Sequence, residues 1–188
     1  MRKLMILAVL VLLPLLGGCI AALAGGAAAG GLMAADRRTT GIYTEDENIE
    51  WKVSLAISQK LGDKVHVNVT SFNRIVLLTG EAPTEELRQE IEKTAKGVEN
   101  IRELRNEVVV ATPTTIGTWS EDSYITTKVK SRMLGNSDVS ANNVKVVTEN
   151  GVVYLMGLVT RKEGNAAAQV ASTTSGVKKV VKVFEYTD

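Results

Sequence analysis

The sequence predicts an α+β fold in which one unit is built twice, each copy a three-stranded mixed sheet covered by two helices. Two observations predict it. Asp46 to Val108 aligns with Asp122 to Phe184 as an internal repeat, and within each copy the apolar spacing switches from a helical period to a period of two and back.

Each copy opens with a helix: Ile49, Val53 and Ile57 fall opposite Ile125, Val129 and Met133, spaced by four as on one helix face. A hairpin follows, with Val67, Val69, Ile75, Leu77 and Gly80 opposite Val144, Val146, Val152, Tyr154 and Gly157. Asn150-Gly151 suits a tight turn whose central residues need positive φ, whereas Ser71 to Arg74 is expected to make a looser one. The second helix starts near Thr84, with Glu85 and Glu86 at its positive end and Leu87, Ile91, Ala95 and Val98 on one stripe. In the second copy Thr160 and Glu163 have capping-box spacing, and Ala167, Val170, Ala171 and Thr174 form the stripe. Asn100 and Gly176 suit the left-handed stop beyond each helix. Third strands are expected at residues 101–110 and 177–186, reached by a crossover that makes them parallel to their neighbours. Units this small bury modest cores, so the two copies are expected to pack on each other.

The N-terminus has a different character. Arg2 and Lys3 precede an apolar run of ~13 residues, too short to span a bilayer, that ends in Leu16-Gly17-Gly18-Cys19. This resembles a lipobox, which makes Cys19, the only cysteine, the expected site of lipidation (diacylglycerol on the thiol, a further acyl chain such as palmitate on the amine). Two or more acyl chains anchor a protein stably. Ile20 stands where Asp would retain a Gram-negative lipoprotein at the inner membrane, so the resemblance implies the outer membrane, facing the periplasm. Ala/Gly-rich sequence follows and reads as a tether, since it buries little against a high ordering entropy. The expected organisation is a signal peptide at 1–18, lipidated cysteine and tether at 19–44, first domain at 45–111, linker at 112–120 and second domain at 121–188.

Asn150-Gly151-Val152-Val153-Tyr154-Leu155-Met156-Gly157, the alanine-rich helix after it and Gly176-Val177-Lys178-Lys179-Val180 resemble the BON domain of bacterial envelope proteins. The first copy departs from that pattern at Arg74 and Asn100, where glycine is usual. A lipobox followed by two such domains resembles the dual-BON outer-membrane lipoproteins. The resemblance implies a non-enzymatic protein that binds anionic phospholipid through its second domain, accumulates at the division site and supports envelope integrity.

On the first helix of the second copy, Tyr124, Thr127, Lys128, Lys130, Ser131 and Leu134 lie off the core stripe, with Arg132 at its border and Trp119 just upstream. An amphipathic aromatic, lysines and a leucine suit an interfacial contact with phosphatidylglycerol or cardiolipin. A solvated helix face is the plainer reading of the same residues. Trp51 and Leu55, opposite the core stripe of the first copy, need cover. Packing against the sister domain would supply it, as would docking to a partner such as the outer-membrane barrel assembly machinery. The rival function is therefore a lipid-anchored scaffold for protein or peptidoglycan.

The chain carries 22 basic and 21 acidic residues, and its near-neutral charge gives nucleic-acid binding no support. A single histidine, His66, and a committed cysteine leave neither a Cys/His metal cluster nor a nucleophile pair, so no metal, cofactor or catalytic residue is expected. His66 reads as an ordinary strand side chain.

Overall fold

The computed structural model describes residues 36–112 and 116–188, with side chains in the last stretch from Ser120 onward. The signal peptide, Cys19 and most of the expected tether lie outside the described residues. The first copy runs α1 (Thr40–Leu61), β1 (His66–Phe72), β2 (Ile75–Ala82), α2 (Glu85–Lys96), β3 (Glu103–Asn106) and β4 (Val109–Val110). The second runs α3 (Ile116–Leu134), β5 (Val144–Glu149), β6 (Val152–Val159), α4 (Arg161–Ser172) and β7 (Lys179–Tyr186). Both are α+β units of the expected order. β1 pairs antiparallel with β2, and β5 with β6, while β3 and β4 run parallel to β2 and β7 to β6.

Both first helices begin earlier than their apolar stripes. Thr39 accepts a hydrogen bond from the Ile42 N–H at 3.3 Å and so starts α1 within the stretch read as tether. Residues 116–120, read as linker, are the first turns of α3. The second helices follow expectation. Thr84 caps α2, and Thr160 and Glu163 form a reciprocal capping box on α4. Asn100 and Gly176 take positive φ, but each lies four residues past its helix, ending the turn that leads into the third strand.

The third strand of the first copy is interrupted. β3 and β4 hold the same register against β2, and the Glu107 N–H still donates to the Leu78 carbonyl at 2.9 Å, yet Val108 leaves the ladder and donates its N–H to the Asn106 side chain at 3.2 Å. Val108 thereby turns into the core. β7 is continuous.

The turn at Asn73-Arg74 is not looser than its sister. Asn73 and Arg74 have φ 50° and 61°, against 53° and 78° for Asn150 and Gly151, so both hairpins close on two left-handed residues. What holds a non-glycine there is Asp46, whose carboxylate accepts the Asn73 N–H at 2.8 Å, the Arg74 N–H at 2.7 Å and the Ser71 hydroxyl at 2.6 Å. Asp122, the repeat equivalent, accepts from Asn150 N–H at 2.7 Å and Gly151 N–H at 2.8 Å.

Each copy has its own core between helices and sheet, built on Ile49, Val53 and Ile57 in one and Ile125, Val129 and Met133 in the other. A third apolar cluster joins Phe72, Ile75 and Leu77 to Tyr154, Met156 and Val183, so the sheets pack back to back. The central strands are therefore buried on both faces, and all eight residues of β2 are buried. That is why Ile75-Val76-Leu77-Leu78 reads as a continuous apolar run where a half-exposed strand would alternate.

Candidate functional site

α3 presents two chemically distinct faces because a helix advances about 100° per residue. Ile125, Val129 and Met133 enter the core, and Asp122 clamps the hairpin turn on the same side. On the far side Tyr124 is 66% and Leu134 73% exposed, with Thr127 and Ser131 exposed between them. The Lys128 ammonium sits 4.9 Å from the centroid of the Tyr124 ring and donates to the Ser175 carbonyl at 2.8 Å. An aromatic edge, a leucine and a tethered cation share one surface.

The other expected contacts divide. Lys130 is two residues from Lys128 and so points to the opposite flank, toward Asn142 and Val144, where the copies meet. The Arg132 guanidinium is turned toward α4, donating to the Val170 carbonyl at 3.0 Å and to the hydroxyls of Thr174 at 2.6 Å and Thr173 at 3.0 Å. It docks α3 on the negative end of α4, where a cation is favoured, and is not aimed outward at a phosphate. Trp119 falls within α3, but its side chain lies outside the described residues.

Lys178 is a neighbour that periodicity did not single out. Its ammonium donates to the Asn150 carbonyl at 3.1 Å, and with Lys128, Tyr124, Ser175 and Gly176 it lines a cleft of about 440 Å³ beside the outer face of α3. The signal was the Lys178-Lys179 pair after Gly176, remote in sequence from α3 and brought beside it by the left-handed Gly176.

Trp51 and Leu55 remain 64% and 39% exposed. Packing against the sister domain does not cover them, because the copies meet through their sheets. Polar contacts rim that junction. Arg102 forms an ion pair with Glu185, which also accepts from the Asn73 amide at 2.7 Å, and these two partners hold its carboxyl below the usual range. Lys145 meets Glu50 at 2.7 Å. Ahead of α1, Arg37 reaches the second copy, where its guanidinium grips both Glu163 oxygens at 2.7 and 2.8 Å and donates to the Leu158 carbonyl at 2.9 Å. Arg38 pairs with Asp46 at 2.9 Å and stacks 3.9 Å from the Phe72 ring centroid.

The BON domain family model matches residues 45–112 and 121–188. The chain belongs to the BON-domain family. It is 45% identical over 175 residues to the outer membrane lipoprotein DolP of Haemophilus influenzae, covering 92% of this chain and 91% of that protein. The 21 kDa hemolysin of Actinobacillus pleuropneumoniae is 40% identical, with 80% and 79% covered. Osmotically-inducible protein Y of Escherichia coli is 28% identical, with 74% and 72% covered. The chain is thus a tandem-BON, DolP-like outer-membrane lipoprotein. Among the described residues no helix is long and apolar enough to cross a membrane.

Proposed function

We propose that acyl chains on Cys19 hold this BON protein at the outer membrane while the outer face of α3 binds anionic phospholipid, in a non-enzymatic role that supports envelope integrity and gathers the protein at the division site. The observation that carries this reading is the pairing of Tyr124 and Leu134, both largely exposed, with Lys128 beside the ring. An amphipathic ring and a leucine suit the headgroup boundary, and basic groups near an anionic surface contribute about 1 kcal/mol each. Lys128 supplies one such charge and Lys178 a second. Two charges and one ring give weak binding, which suffices where an anchor already keeps the domain at the surface.

Exposed Trp51 supports a second reading, a scaffold whose first domain docks a protein such as the outer-membrane barrel assembly machinery, or peptidoglycan. Flotation of an anchor-free chain on phosphatidylglycerol or cardiolipin vesicles separates the two. That chain must keep Arg37, Arg38 and Thr39, because all three hold the folded unit. Flotation that is lost in Tyr124→Glu and falls with salt supports lipid binding. Chemical-shift changes on anionic micelles confined to the first domain would favour the scaffold.

A further inference from the structure

We infer that His66, Glu81 and Glu149 form a divalent transition-metal site of the zinc class, shared by the two BON domains at their junction. His66 and Glu81 are cross-strand partners on β1 and β2 of the first domain, and Glu149 ends β5 of the second. One ligand atom from each lies within 4.8 Å of the other two. Both carboxylates are buried, Glu81 at 1% exposure and Glu149 at 8%. Buried carboxylates are costly unless they are paired, hydrogen-bonded or metal-bound.

Polar contacts orient all three groups. Glu81 accepts from the Asn150 amide at 2.5 Å and faces His66 Nδ1 at 2.9 Å. The Asn68 amide at 2.8 Å and the Thr79 hydroxyl at 3.1 Å both donate to one oxygen of Glu149. The amide and hydroxyl donors on Glu149 orient its carboxylate, as outer-shell partners of metal ligands do. One imidazole and two carboxylates are a donor set that zinc accepts, with a fourth position open to water.

Zinc bonds of about 2.0–2.1 Å place tetrahedral ligand atoms about 3.3 Å apart, so the three groups must draw in on binding. A cleft of about 420 Å³ lined by Glu149, Asn68, Asp122 and Thr126 gives an ion its entry. Because ligands come from both domains, the ion fastens one to the other.

The test uses the full-length protein in detergent, stripped with chelator and then dialysed against micromolar zinc, with retained metal counted by mass spectrometry. One zinc per chain is expected, with tetrahedral visible bands when cobalt replaces it. Glu149→Gln and His66→Gln should each weaken retention at least about tenfold, while Cys19→Ser should leave it intact. Zinc should also raise the melting temperature of the wild-type protein, since metal that binds only the folded state stabilises it. Wild-type protein that retains no zinc and shows no such rise overturns the site, even if a variant fails to fold. Full retention by both variants, or loss in Cys19→Ser, overturns it equally.

Discussion

Asp46 and Asp122 each accept both N–H groups of a two-residue hairpin turn whose φ angles are positive. Hydrogen bonds to a charged group are worth about 1.5–3 kcal/mol, so Asp122→Ala should destabilise the chain by about 3 kcal/mol in urea unfolding. Arg74 shows the opposite sign. A side chain in the left-handed region costs about 1 kcal/mol, and the buried Arg74 Nε has no hydrogen-bond partner. Arg74→Gly should therefore stabilise the first domain, by about 1 kcal/mol, with an unchanged circular dichroism spectrum. Gly157 permits no such freedom, because a Cβ there would stand 2.3 Å from the Asn143 carbonyl oxygen. Gly157→Ala should cost more than about 2 kcal/mol through backbone displacement.

At the level of elements, the start of α4 gathers more than its own capping box. Glu163 accepts from Thr160, Ser140 and Arg37, and the Arg37 contact first among these holds its carboxyl far below the usual carboxylate range. For a depressed carboxylate the stabilisation is present above its unfolded pKa, near 4.5, and is lost as pH falls through the folded value. Thermal melts from pH 5 down to pH 2 should show stability falling, with a shallower fall in Glu163→Gln. That variant should also cost about 1–2 kcal/mol at pH 7 through the lost charge on the Arg37 contact, since glutamine can still complete the capping box. The strap of Arg37 and Arg38 has a functional side too, since it fixes where the chain from Cys19 reaches the folded unit.

For the molecule as a whole, the decisive contact is the back-to-back packing of the two sheets. Burying a large apolar side chain stabilises by about 1.5–3 kcal/mol, so Met156→Asp, which adds a charge to that apolar cluster, should part the domains. Small-angle scattering should then show an extended chain, with each domain retaining its own core. The anchor belongs to this scale as well. Cys19→Ser should release the protein from outer-membrane fractions and abolish labelling by a fatty-acid analogue.

Local chemistry was enough to place helices, hairpins and caps. A four-residue apolar spacing, Thr160 with Glu163, and Asn150-Gly151 each report on contacts within a few residues of themselves. The exposed face of α3 was legible for the same reason, since Tyr124 and Leu134 are whatever the core stripe leaves outside. Contacts between distant residues were not legible. Arg132 turned inward to α4, Lys178 came to stand beside Lys128, and Trp51 stayed uncovered, because sequence periodicity gives the face of an element and not its neighbour. Only the tertiary structure brought His66, Glu81 and Glu149 together, from three strands and two domains. Their meeting depends on how two sheets stack, which is set by the summed packing of many apolar side chains rather than by any motif in the chain.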